Sequence, residues 1–152
     1  MQKFKFKLEG LLKVREFKEK KIKIELGQIL KEIREVEDKI ALANKAIDET
    51  YAAQEVFMKD PSAGNMIQFF PYFIQGKKED IKNKESLMWA LKKKYEQKVA
   101  DLAIARGEVK VMENFKEKKK DEYTRKQNKK EQEAIEEILT MRTNGAYISD
   151  EK

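Results

Sequence analysis

The chain has 152 residues, of which 41% are charged and 9% aromatic, and its formal net charge is +6. So much charge leaves too little apolar material for a compact core of this size and points to an elongated or a disordered chain. There is no cysteine and no histidine, which removes disulfides, thiol nucleophiles, histidine bases and the usual zinc ligand sets.

Regular apolar spacing decides against disorder. The first predicted element is a helix over about residues 3–59. Its opening, Met1 to Gly10, alternates Lys with Phe and Leu and lacks the continuous apolar run of a signal peptide. The apolar stripe begins Phe4, Leu8, Leu11, Val14 or Arg15, and Ile22. It continues through Leu26, Ile29, Ile33, Val36, Ile40, Ala43 and Ile47, then fades through Thr50 and Gln54 to Phe57. Steps of three and four make this a heptad seam. The step from Ile22 to Leu26 reads as a stutter, with Gly27 beside it as a weak point. Phe6, Leu12 and Val14 fall off the stripe, and this surplus predicts a second contact face.

A turn follows over about residues 60–71, where Asp60-Pro61-Ser62-Ala63-Gly64-Asn65 supplies the residues that turns select. Phe69, Phe70, Tyr72 and Phe73 crowd around Pro71. A two-helix seam cannot bury all four rings, so they either cap the turn or form an exposed patch for a partner. Pro71 requires the second helix to begin near Phe70 or to kink there.

The second predicted helix covers about residues 72–142. Ile74, Ile81, Met88, Tyr95, Leu102 and Val109 repeat every seven residues, with Leu91, Val99, Ala105 and Met112 as companions. The repeat weakens from Lys116 to Lys130, where Lys116, Lys119, Gln127 and Lys130 fall on the seam and Tyr123 alone is apolar. Ile135, Ile138 and Met141 restore a stripe, and Asn144-Gly145 reads as a helix stop before a loose tail, 143–152. Two arms of similar length around one short turn give an all-α fold, a long two-helix antiparallel coiled-coil hairpin forming a single domain, 1–152. Each arm would span roughly 80–100 Å at 1.5 Å per residue.

Charge is uneven along the chain. Met1 to Arg34 carries +6, Glu35 to Gln75 carries −4, and Lys116 to Lys130 carries +5. In a hairpin the two basic segments lie side by side, implying an acidic partner surface or a polyanion. A basic coiled coil binding nucleic acid through Lys118-Lys119-Lys120, Lys126, Lys129 and Lys130 is the alternative reading. Interleaved Glu117, Asp121 and Glu122 oppose it, and no nucleic-acid reading motif is present. Carboxylate pairs such as Glu35/Glu37 and Glu136/Glu137 lack a cleft to desolvate them, and no phosphate-binding glycine loop occurs. No enzyme activity, cofactor, metal or small-molecule substrate is therefore expected. The most apolar window, Asn65 to Gln75, is too short to span a bilayer, and the absence of cysteine fits a cytoplasmic location.

The opening Phe6-x-Leu8-x-x-Leu11-Leu12-x-Val14-Arg15-Glu16 resembles the start of the FliJ family of the bacterial flagellar export apparatus. The basic run Lys118 to Tyr123, then Glu131-Gln132-Glu133-Ala134-Ile135-Glu136-Glu137-Ile138, is similar to its C-terminal signature, and Tyr72-Phe73-Ile74-Gln75 with Ile81 to the start of its second helix. Pro71 and Gly76 depart from the pattern. The resemblance implies a coiled-coil hairpin like the central stalk of rotary ATPases, at the inner face of the cell membrane at the flagellar base. Its implied partners are the hexameric export ATPase, the cytoplasmic domain of the membrane export gate, and export chaperones. It also implies an ATPase-binding set of Phe6, Leu8, Leu11, Leu12, Arg15, Gln132, Ile135, Ile138 and Arg142, and a gate-binding set of Phe70, Tyr72, Phe73 and Ile81. The equivalent stalk of a virulence-type secretion system, or a plain spacer, would share the same architecture.

Overall fold

The computed structural model describes residues 2–149. They form a long α1 (Glu9–Met58), one 3-10 turn over Pro61–Ala63, and a longer α2 (Phe69–Ser149), with no strand among the described residues. The helices are unequal, 50 and 81 residues, where the sequence suggested arms of similar length. They run antiparallel, as a two-helix coiled-coil hairpin. Contacts divide the chain into two compact units: unit 1 is Met1–Phe17 with Ala105–Lys152, and unit 2 is Lys18–Ile104.

α1 begins at Glu9 rather than near residue 3, because the alternation of Lys with Phe has period two, which suits extended chain. Residues 2–6 have no helical structure; Phe4 and Phe6 are half-buried while Lys3, Lys5 and Lys7 are exposed. Glu9 then opens the helix, where a carboxylate complements the N-terminal dipole, and it pairs with Lys116 at 2.8 Å.

Inner positions of α1 recur at Leu12, Arg15, Glu19, Ile22, Leu26, Ile29, Ile33, Val36, Ile40, Ala43, Ile47, Thr50 and Gln54. Steps of three and four alternate without interruption, so the stutter expected at Ile22 is not present. The apolar Leu8 and Leu11 draw a sequence reading toward the wrong phase. The seam instead runs through Leu12 and accepts the polar Arg15 and Glu19.

Unit 2 centres on Ile29, Ile33 and Val36 of α1 against Met88 and Leu91 of α2, with Ile40 and Tyr95 at the edges. Burying each such aliphatic side chain contributes about 1.5–3 kcal/mol relative to exposure. Val99, expected as a companion seam residue, is exposed. Lys98 takes its place, half-buried and paired with Glu25. Unit 1 centres on Leu12 against Val109 and Met112, with Phe6 packed alongside.

The connector is built from the residues the sequence marked. Asp60 caps the 3-10 turn, its Oδ1 accepting from the Ser62 backbone amide at 3.0 Å and the Ser62 hydroxyl at 2.8 Å. These bonds hold its carboxyl below the usual aspartate range. Pro71 lies in the first turn of α2, where a helix has no use for its missing amide, so neither Pro71 nor Gly76 breaks the helix. At the other end α2 continues through Asn144 and Gly145 to Ser149, correcting the expected stop. A glycine ends a helix by adopting the left-handed conformation, and none among the described residues has positive φ. Residues 150–152 of the expected tail lie outside the described residues.

Candidate partner-binding surfaces

Among the described residues no helix is long and apolar enough to cross a membrane, and no group of three or more acidic side chains is placed to hold a metal.

In unit 1 the extended segment is strapped across α2. The Phe4 ring meets Tyr123 at 5.6 Å and Phe6 meets Phe115 edge-on at 5.9 Å. The Tyr123 hydroxyl donates to the Gln2 carbonyl. Lys119 lies over the Phe115 ring, 5.6 Å from its centre, and donates to Glu122 at 3.2 Å, which keeps that carboxyl below the usual range. Strap and helix enclose an open groove of about 590 Å³, floored by aromatic rings and rimmed by Lys5, Lys7, Lys119 and Lys126.

The residues expected to meet an ATPase fall into three groups. Leu12 is 3% exposed and belongs to the core. Arg15 and Phe6 are half-buried; Arg15 donates from Nη1 to the Glu108 backbone carbonyl at 3.2 Å, and Phe6 packs on the core. Leu8 and Leu11 are 40% and 42% exposed, with Val14 and Phe17 more so. Of the surplus apolar residues read from the sequence, Val14 is exposed while Phe6 and Leu12 are packed, and Leu8 and Leu11 are exposed beside it. Gln132, Ile135, Ile138 and Arg142 are all exposed. They lie on a stretch of α2 about 30 Å along from Phe115, so the two groups are separate patches.

Unit 2 carries the aromatic cluster, and its rings divide. Phe70 is half-buried and stacks on Phe57 at 5.6 Å, and Ile74 is buried, so these two cap the connector. Ile81 is half-buried. Tyr72, at 78% exposure, and Phe73, with Lys77 5.5 Å over its ring, face outward. Phe69 is also exposed, and so is Trp89, which Lys93 covers at 4.7 Å. Phe69 belongs to the ring cluster read from the sequence, whereas Trp89 was not singled out there. Leu139 was missed too, although its four-residue step from Ile135 puts it on the same helix face.

A family model described as the flagellar FliJ protein matches residues 4–146. The chain belongs to the FliJ family. No curated protein and no solved structure matches it. The match covers α1, the connector, all but the last three residues of α2 and most of the strap, and a FliJ chain is a component of the flagellar export apparatus.

Proposed function

We propose that this FliJ chain is a non-enzymatic cytoplasmic stalk and adaptor of the flagellar type III export apparatus. Unit 1 docks on the export ATPase ring and the exposed rings of unit 2 meet the cytoplasmic domain of the export gate. Export chaperones are further partners.

The observation that carries this reading is the apolar surface of unit 1 that its own core leaves uncovered: Leu8, Leu11, Ile135, Ile138 and Leu139. A stalk held in a ring needs apolar residues for burial and charge to steer entry. The strap and the Lys118-Lys119-Lys120 run supply the positive charge beside the first patch. Phe6, Leu12 and Arg15 act from behind, by fixing the start of α1 on α2.

The test is a pull-down of the full chain with purified export ATPase and with the gate domain, followed by ATPase assays at several salt concentrations. Capture of both, with stimulation that falls as salt rises, is the expected result. A chain that leaves ATPase turnover unchanged at low salt overturns the reading.

A further inference from the structure

From Asn128 to Ala146 every side chain of α2 is exposed, although the stretch bears Ile135, Ile138 and Leu139 on one face. An isolated helix this short is marginal in water, and an apolar stripe on it calls for a partner. The seam that packs on the first helix does not supply one. Within unit 1 that seam passes through Val109, Lys116 and Tyr123, and its seven-residue repeat continues to Lys130 and Glu137. At 100° per residue Ile135 and Leu139 lie on roughly the opposite side of the helix from those two charges, and Ile138 about a quarter turn from each.

We infer that this stretch pairs antiparallel with the same stretch of a second copy of the chain. Four residues along the stripe carry the inference: Glu131, Ile135, Ile138 and Arg142, spaced four, three and four. This spacing reads the same in both directions. Two copies laid antiparallel about its midpoint bring each Ile135 against Ile138 of the partner copy, and each Glu131 against Arg142 of the partner copy. Four isoleucines form the centre and two ion pairs close it. Opposite charges at flanking positions choose partner and direction in coiled coils. A parallel arrangement would instead set Glu131 against Glu131 and Arg142 against Arg142. Both residues are exposed, and neither has an ion pair within the described residues, whereas Lys129 already faces Glu133 at 3.9 Å. Leu139 covers one flank of the isoleucines.

The contact is isologous and small, about three helical turns per copy, so the dimer is weak and reversible, with dissociation on the order of 100 µM. It occupies the face proposed for the ATPase without depending on that proposal. A dimer and a docked stalk compete for the same isoleucines, so a local excess of free chain would hold the face covered.

Sedimentation equilibrium of the full chain from micromolar to millimolar concentration tests it. The expected result is a monomer–dimer equilibrium, weakened about tenfold by Glu131→Arg or by Arg142→Glu alone. The double variant, which regenerates both pairs with the charges exchanged, should return to within about threefold of the parent. Circular dichroism confirms that each variant keeps its helices. A chain that stays monomeric throughout overturns the inference and leaves ATPase docking untouched. A dimer indifferent to the single reversals, or not rescued by the double one, overturns it as well.

Discussion

Arg15 of α1 reaches across to α2 and donates from Nη1 to the backbone carbonyl of Glu108 at 3.2 Å, at a seam position where a coiled coil ordinarily places an aliphatic side chain. The bond ties the start of α1 to α2 beside Leu12, Val109 and Met112. Positions 12 and 15 are therefore held by the fold, whereas Leu8 and Leu11 on the outer face are exposed.

This separates two kinds of variant. Leu12→Ala removes a core side chain and should cost about 2–3 kcal/mol in urea unfolding followed by circular dichroism. Leu11→Ala should change stability by less than about 0.5 kcal/mol yet lower ATPase stimulation severalfold. Equal losses of stability and stimulation in both variants would show that the exposed leucines are not a docking surface.

Amide exchange should be graded along α2. Every side chain from 128 to 146 is exposed, while Met88 to Met112 is backed by buried seam residues. Exchange at low protein concentration should be fastest in the former and slowest around Leu91 and Val109. Uniform protection along α2 would contradict this.

The Glu25–Lys98 pair predicts two pH limits. The hydrogen bond from Lys98 lowers the Glu25 carboxyl from its ordinary 4.5, and the bond to Glu25 raises the Lys98 ammonium above its ordinary 10.5. The glutamate's contribution is fully present above the unfolded value and is lost as pH falls through the lowered one. The lysine's is present below its unfolded value and is lost as pH rises through the raised one. Thermal stability of unit 2 should thus be level at neutral pH and decline at both extremes. Glu25→Gln should flatten the dependence that this pair adds on each flank, measured by melting temperature against pH.

The connector rings make opposite predictions. Tyr72→Ala and Phe73→Ala should weaken gate-domain binding severalfold in titration calorimetry with helicity unchanged. Phe70→Ala should mainly loosen the connector, seen as faster amide exchange near Phe57, because its ring is spent on that contact.

Much of the fold was legible because heptad spacing is a one-dimensional signal: the steps from Ile22 to Ile47 and from Ile74 to Val109 read directly as two helices, and Asp60-Pro61-Ser62 as the turn between them. The errors came where polarity and position disagree. Arg15 and Lys98 sit on the seam because cross-helix partners satisfy them, and Glu19 pairs with Lys23 one turn on along its own helix, while a search for apolar residues passed to Leu8, Leu11 and Val99 instead. Phe4 and Phe6 were read with a helical period, although their alternation with lysine is that of an extended strap. Which of four clustered rings would face outward depended on where α2 begins, a matter of two or three residues that composition does not set. The candidate binding residues followed the same rule: Ile135, Ile138, Tyr72 and Phe73 are exposed, whereas Leu12, Arg15 and Phe70 are spent on the fold.

The uninterrupted three-four spacing in unit 2 also makes its length a separable variable. Excising residues 34–40 from α1 together with the facing 84–90 from α2 rejoins Ile33 to Ala43 and Ile81 to Leu91 at the steps the seam already uses. Both cuts remove one full heptad, so inward-facing residues stay inward and the pairing register is kept, while unit 2 becomes about 10 Å shorter. Few coupled layers of packing need to be rebuilt, as they would in a globular core. Such a chain can serve as a ruler: a family of folded variants differing in reach alone would show whether export depends on the distance this protein spans or only on the surfaces it carries.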